Sequence, residues 1–391
     1  MKLQHAVNIA DLRRLAESRL PKFIFDMVEG GVEDEYCVVR NEAAFQRYQL
    51  LPKILIDVTT RDQSTELFGR RYASPFGISP TGPAPLYRRD ADVLLAKAGS
   101  RADVPFILSG ASGASIESIR AVAPQHAWYQ LYGARDRTIS ADLIRRARDA
   151  GFEHLVVTVD TPISPKRERH LRNRITVPVK MTPRLLLTLT VEALRRPGWM
   201  WNYATQGGMP RMSNWAHFAP NGATNMQVAE FFRGQSPSSQ TWHDVETFRR
   251  LWPGKLIIKG VLRADDAQRL VELGADGITV SNHGGKIVDR TPAAIDALPA
   301  IKAAVGARAV VMVDGGVRRG SDIVVARCLG ADFVFLGRVP LYGVAAAGAA
   351  GAARALEIMR TELDLMLGTI GCPRFDNLDK SFLGEYHYGT I

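Results

Sequence analysis

From about residue 73 the chain repeats one alternation, a short apolar run followed by a helix-sized segment. The runs are PFGIS (75–79), PFILS (105–109), HAWYQLY (126–132), HLVVTVD (154–160), KLIIKG (255–260), GITVSN (277–282), AVVMVDGG (309–316) and FVFLGR (333–338). Within each run the apolar residues are continuous rather than alternating with polar ones. That pattern predicts strands buried on both faces of a parallel sheet. Helices are predicted over 90–102, 115–122, 139–149, 265–273, 293–304 and 321–329, with Gly151, Gly274, Gly306 and Gly330 near their ends. Eight strands at this spacing predict an α/β fold, a (β/α)8 TIM barrel forming one domain over 1–391. A doubly wound sheet satisfies the same strand count. The polar or glycine-rich residues of every run sit at its C-terminal end, which is the active face of a barrel.

Residues 1–72 read as an N-terminal helical extension of that domain. Asn8 caps a helix over 8–19, and Pro21 opens another that runs to Gly30-Gly31. Between strands four and five lies an insertion, 161–254, roughly 60–70 residues longer than one crossover helix requires. Its segment 181–204 combines Leu185, Leu186, Leu187, Leu189 and Val191 with Trp199, Met200, Trp201 and Tyr203, flanked by Lys180, Arg184, Arg195 and Arg196. Three readings fit: a buried helix with an aromatic turn, a peripheral membrane patch, or a lid. Residues 205–240 are rich in Gly, Ser, Asn, Gln and Pro, which predicts a mobile loop.

Composition narrows the function classes. Of 391 residues, 46% are hydrophobic and 23% charged, so disorder is excluded as the main state. The formal charge of +10 favours anionic partners. Cys37, Cys328 and Cys372 are widely spaced and odd in number, which predicts a reducing compartment. The first 20 residues lack the apolar core of a signal peptide, and no uncharged apolar stretch reaches 18 residues, so a cytoplasmic location is expected. No residue cluster has metal-ligand spacing, and no nucleic-acid-binding motif accompanies the charge run KRERHLRNR (166–174).

The candidate chemistry sits at the strand ends. His283, in SNHGG, is a candidate base or a simple strand cap; Gly284 and Gly285 permit a tight turn and a close backbone approach. Asp160 ends strand four and either orients His283 or caps its own turn. DGGVRRG and LGR place Gly315, Gly316, Arg318, Gly337 and Arg338 after strands seven and eight, where barrels bind phosphate. Lys259 ends strand five. It balances charge on a bound ring, faces solvent, or forms a Schiff base. Gln130 and Tyr132 share one face of strand three, with Tyr129 on the other. Thr158 shares the face of Asp160.

These motifs, in this order across nearly the whole chain, resemble the FMN-dependent 2-hydroxy-acid oxidases and dehydrogenases. LPKFIFDMVEGGVEDE, SPTG, WYQLY, TVDTP, RERHLRNR, IKG, SNHGG, DGGVRRGSDIV and LGR carry the likeness. RERHLRNRITVPVKMTP and IGCP look most like the mandelate dehydrogenase branch, which has a membrane-binding segment in the same insertion. The resemblance implies FMN as cofactor, with Thr81, Gly82, Ser109, Gln130, Thr158, Lys259, Ser281, Asp314, Gly316, Arg318, Gly337 and Arg338 at its site. It implies His283 as base, Asp160 as its partner, Tyr132 as an active-site phenol, Lys259 near the reduced ring, and Arg167 as the substrate-carboxylate ligand. It further implies a homotetramer and a peripheral position on the cytoplasmic face of the membrane.

Two positions depart from the family pattern. The family's Y-D-Y run is Phe25-Asp26-Met27 here, so Met27 brings no hydroxyl. The arginine of HGGR is Lys286, which keeps a charge but not the planar fork. Both changes touch the substrate carboxylate. The expected substrate is therefore a bulky, aryl 2-hydroxy acid, or an ester, amide or carrier-bound relative; Lys286 with a water replacing the lost contacts is the alternative. Glycine at position 82 is the form associated with mandelate-type dehydrogenases, which favours a quinone acceptor over oxygen. An oxidase making hydrogen peroxide, and a non-catalytic FMN-binding protein, are the other readings.

Overall fold

A computed structural model describes residues 1–173, 183–205, 208–236 and 238–385. All eight predicted strands are present: Phe76–Ile78, Phe106–Leu108, Ala127–Tyr132, His154–Thr158, Lys255–Val261, Gly277–Val280, Val310–Asp314 and Phe333–Leu336. They close into a parallel barrel in sequence order, strand eight pairing with strand one. The closure excludes the doubly wound sheet. Register sets the height of the mouth: Tyr132 pairs with Thr158, and Thr158 with Lys259. Three polar side chains from adjacent strands therefore stand at one level.

Parity divides the strand residues as expected. Trp128, Val156, Ile257, Met312, Phe333 and Phe335 point inward and fill the barrel. Tyr129 points outward and meets Phe152 edge-on, with ring centroids 6.3 Å apart. The floor is closed by a hairpin, Thr65–Leu67 with Arg70–Tyr72, whose Leu67 and Tyr72 join the interior cluster.

The N-terminal extension is helical only in its first part. Helices Ile9–Arg19, Lys22–Glu29 and Tyr36–Ala43 form as the capping pattern suggests, with Asn8 Oδ1 accepting from the Asp11 N–H at 2.9 Å. Beyond Arg47 the expectation of helix fails. Tyr48–Leu50 pairs with Leu383–Glu385, and the floor hairpin follows. Their apolar residues serve sheet pairing and the barrel floor rather than a helix face.

The described residues of the insertion form more helix than its composition suggests. The mobile loop expected over 205–240 instead contains a helix, Asn225–Gln235, started by a capping box between Thr224 and Gln227. Trp215 is fully buried and donates its indole N–H to Gly110 O at 2.7 Å. The polar residues that read as loop act as caps and turn formers. Met181 and Thr182 lie outside the described residues, as do Arg174 and Lys180. The rest of 181–204 forms helices Pro183–Leu194 and Pro197–Thr205. Trp199 docks on the barrel, donating to Leu86 O at 2.8 Å and meeting Phe23 edge-on. Leu186, Leu187, Leu194 and Trp201 remain 55–72% exposed. The aromatic-turn reading thus describes Trp199, while an apolar row stays uncovered beside it.

The long helix Arg338–Thr369 is apolar enough to cross a bilayer by composition, but it is broken at Ala347-Gly348 and mostly buried against neighbouring helices. It is a core element.

His154 stacks flat on Trp128 in the barrel floor, with ring centroids 4.3 Å apart. Burial, aided by nearby Lys255, pushes its imidazole from 6.5 down to about 4. The unfolded chain therefore takes the proton first. Stability should fall as pH drops from 6.5 towards 4 and then level off, by at most about 3 kcal/mol from this group. His154→Phe should flatten that slope in urea unfolding at pH 7, 5.5 and 4.5; an unchanged slope would assign the acid sensitivity elsewhere.

Candidate active site

His283 lies just beyond strand six in the left-handed region, with φ +56°, followed by Gly284 and Gly285 at positive φ. Such a conformation in a non-glycine residue needs support from its surroundings. It comes from two sides. Ser281 Oγ accepts the His283 backbone N–H at 3.1 Å. The preceding Asn282 is buried and exchanges two side-chain hydrogen bonds with Asn41, at 2.9 and 2.7 Å.

Asp160 Oδ1 lies 2.9 Å from His283 Nδ1. Gly260 makes room for this carboxylate, because a Cβ there would fall 2.5 Å from Asp160 Cγ. With Nδ1 committed to Asp160, Nε2 turns towards Tyr132, whose hydroxyl is 3.5 Å away. Burial, with the Asp160 charge adding to it, pushes the Tyr132 phenol up, so it stays protonated and able to donate.

A polar ring surrounds this dyad. Lys259 is buried, with Nζ 2.7 Å from Ser281 Oγ and 2.9 Å from Asp314 Oδ2. Burial would raise Asp314, but the Lys259 charge and hydrogen bonds from Lys259, Ser281 and Ser79 hold it below its usual range. Gln130 Oε1 accepts the Gly110 N–H at 3.0 Å and lies 3.4 Å from Ser109 Oγ. Gln130 Nε2, Thr158 Oγ1 and Asp314 Oδ1 are buried without a protein partner. Buried polar atoms left this way mark where a polar ligand binds. At the turn after strand one, a Cβ on Gly82 would come within 2.8 Å of both Ala111 O and Ser109 Oγ. Thr81 beside it is partly exposed.

The glycine turns differ in what they permit. At Gly316, φ +82°, a Cβ would overlap Asn41 O at 1.9 Å, so the glycine is required by packing. At Gly337, the N-cap of helix Arg338–Thr369, a Cβ would meet nothing within 4 Å. That open space at a helix N-terminus suits a phosphate. The orphaned ring-level polar atoms and this cradle together fit FMN.

Three expected ligands are directed elsewhere. Arg318 gives Nη2 to Glu42 Oε1 at 2.7 Å and Nη1 to Val317 O at 2.8 Å, so its fork is paired with protein. The Arg338 side chain bonds the carbonyls of Val28, Glu29, Gly30 and Gly284 at 2.9–3.3 Å, leaving its backbone N–H at the helix start. Lys286 Nζ bonds the carbonyls of Met27, Val28 and Gly30 at 3.0, 3.1 and 2.8 Å, which uses all three of its donors. For Arg338 and Lys286 the physical reason is shared. Helix Lys22–Glu29 ends with unpaired carbonyls in a buried place, and these cations satisfy them. Burial, with Arg338 and Arg167 nearby, lowers Lys286 well below its ordinary value. Met27 contributes its carbonyl to this row, and its side chain packs on the core.

Arg167 is the expected ligand that keeps donors in hand: its Nε is buried without a partner. Burial lowers it, and Tyr132 and Tyr87 stand close enough to oppose the effect. The neighbouring charge run is used structurally. Arg169 pairs with Glu35 at 2.5 Å and Asp26 at 3.4 Å, and Asn173 donates to Asp26 at 2.8 Å. Sequence reading missed Tyr87, Asn41 and Phe232. Phe232, on helix Asn225–Gln235, lies 6.3 Å from the Tyr132 ring and 4.9 Å from Trp215. No sequence signal brought these distant segments to the mouth.

The chain is similar to known proteins over nearly its whole length. The family described as FMN-dependent dehydrogenase matches residues 16–385. The chain is 37% identical to (S)-mandelate dehydrogenase of Pseudomonas putida, covering 97% of this chain and 94% of the relative. It is 35% identical to L-lactate oxidase of a Nostoc species, covering 96% and 98%. A crystal structure of monotopic membrane protein (S)-mandelate dehydrogenase superposes with a TM-score of 0.91 at 37% identity, covering 98% of this chain and 100% of the other.

Lys286→Met removes the charge and strands three buried carbonyls. Chemical denaturation should show a loss of about 2–4 kcal/mol. A variant as stable as the parent would mean that the helix end finds other partners.

Proposed function

The chain belongs to the FMN-dependent dehydrogenase family and is an FMN-dependent oxidoreductase; from that premise we propose that it oxidises a bulky, aryl-type 2-hydroxy acid to the 2-oxo acid at a membrane surface, passing electrons to a quinone rather than to oxygen. The observation that carries the catalytic reading is the His283–Asp160 contact of 2.9 Å, with Nε2 left facing Tyr132.

The residues divide the work as follows. Asp160 holds the His283 Nδ1 proton, so the Nε2 lone pair accepts a proton from the substrate, and the carboxylate then stabilises the imidazolium. Tyr132, kept neutral, donates a hydrogen bond to the substrate. Arg167 pairs with its carboxylate through a guanidinium that has free donors. Gln130, Thr158, Lys259 and Ser281 hold the flavin ring. Gly337 and the Arg338 N–H hold the phosphate. FMN bound there supplies the two-electron acceptor. Lys259 brings a buried positive charge to the level of Thr158, where negative charge would otherwise accumulate unpaired.

Aryl preference is supported by what lines the mouth. Phe232, backed by Trp215, offers an aromatic surface beside Tyr132 rather than hydrogen bonds to a small polar substrate. The name of the Pseudomonas relative points the same way. Gly82, at a spot too tight for a Cβ, agrees with the dehydrogenase form of the motif. Membrane contact is supported by exposed Leu186, Leu187, Leu194 and Trp201 beside Arg195, and by the monotopic description of the similar crystal structure.

The purified protein should be yellow, and anaerobic mixing with a panel of 2-hydroxy acids should bleach it fastest with aryl members. His283→Gln should stay yellow and bleach about 100- to 10,000-fold more slowly. Equal bleaching by that variant would remove His283 from the chemistry. Reoxidation by a short-chain quinone should outpace reoxidation by air.

Replacing Leu186, Leu187, Leu194 and Trp201 together by serine should abolish co-sedimentation with phosphatidylglycerol vesicles while bleaching stays within two-fold. Persistent co-sedimentation would locate the membrane contact elsewhere.

A further inference from the structure

A carboxylate moved from water into a half-buried mouth needs charged partners to offset its desolvation. Among the expected ligands, Met27 has no donor, and Lys286 spends its three donors on backbone carbonyls. Arg167 is left as a single cation with donors to spare. One guanidinium leaves part of a carboxylate unmatched.

A second guanidinium stands on helix Asn225–Gln235. Phe232 of that helix lies against Tyr132, and Tyr132 reaches His283. The helix is anchored at its C-terminal end, where Gln235 accepts the Arg135 N–H through its carbonyl at 2.9 Å and the Asp136 N–H through its side chain at 3.0 Å. Arg233 is therefore held one residue from the aromatic contact at the mouth. It makes no hydrogen bond or ion pair among the described residues, although Glu230 is one turn away.

The electrostatic surroundings tell the same story from the other side. Arg233 is exposed on this helix, yet partial desolvation and then the Arg167 charge lower its guanidinium. His170, between these charges, is pushed down to about 4 by burial first and then by Arg167, Lys286 and Arg233. Near neutral pH it adds no third charge. Arg167 and Arg233 are close enough to repel each other, and an anion bound between them would turn that cost into attraction.

We propose that Arg233 is a specificity-determining residue that, with Arg167, holds the substrate carboxylate in place of Lys286. This rests on the hydroxy-acid reading above. It assigns to the insertion a direct part in recognising the acid group.

The test compares the best 2-hydroxy acid of the panel with its carboxamide, by anaerobic flavin reduction. Arg233→Met should raise KM for the acid about 10- to 100-fold, the worth of one charged hydrogen-bonded contact. It should leave kcat within two-fold and the carboxamide unaffected, and Arg233→Lys should recover part of the loss. Titration of the oxidised protein with benzoate, read by the flavin absorbance shift, should show the same weakening without turnover. If acid KM and benzoate affinity both stay within two-fold of the parent, the proposal falls while the hydroxy-acid reading stands. Equal loss for acid and carboxamide also overturns it, since that assigns Arg233 to helix packing. A parent protein that no hydroxy acid bleaches would bring down both readings together.

Discussion

The carbonyls that end helix Lys22–Glu29 are the point on which the active site is assembled. A helix leaves its last carbonyls unpaired, and here they end inside the protein. Lys286 comes to them from the turn after strand six, and Arg338 from the turn after strand eight. Each cation meets both the partial negative charge of the helix end and discrete acceptors. Arg338 also bonds Gly284 O, in the glycine pair beside His283. The turns after strands six and eight and the N-terminal helix are thus joined by these cations. Removing any one of them leaves the others with unmet polar groups, which is costlier than never having buried them.

This constraint explains why His283 can occupy a left-handed conformation without freedom to leave it. Behind it, the Asn282–Asn41 pair fixes the turn; beside it, Gly285 O accepts the Val32 N–H at 3.2 Å, tying it again to the N-terminal segment. In front, Asp160 occupies space that only glycine at position 260 leaves open. An imidazole held on three sides has little reorganisation to do when its charge changes, and preorganisation of that kind is what a general base requires. The same reasoning separates Lys259 from Lys286. Both lysines spend their charge on protein partners, but Lys259 faces a carboxylate and a hydroxyl at the mouth, whereas Lys286 faces only backbone.

Much of this was readable in the residues because barrel strands speak in a simple code. Continuous apolar runs marked the eight strands, and polar residues at their ends marked the mouth. Parity alone sent Tyr129 outward and Gln130 and Tyr132 to the site. What escaped was of a different kind. The destination of a long cation depends on which acceptors lie within reach of its tip, and no local pattern says that Arg338, 310 residues from Val28, will end on that carbonyl. Polar composition misled in 205–240 for a related reason. Thr224, Gln227 and Asn214 look like loop residues until their partners are known, and then they are a helix cap and a buried bridge to Ile116. The floor hairpin was hidden because a three-residue strand carries too little pattern to distinguish from a turn.

The insertion gains its meaning from having two faces. Through Trp199 it is pinned to the loop after strand one, with Leu186, Leu187, Leu194 and Trp201 turned outward. Through Phe232 and Trp215 it is pinned to the mouth, at Tyr132 and Gly110. The loop after strand one carries both Gly82 and Tyr87, and Tyr87 stands near Arg167. A barrel without this insertion would keep the His283–Asp160 pair, the open helix start at Gly337 and the polar ring of Gln130, Thr158 and Lys259, all of which come from strand ends. It would lose the aromatic wall and the outward apolar row together. The polar strand ends belong to the barrel, while the aromatic wall and the outward apolar row belong to one inserted segment that touches both faces.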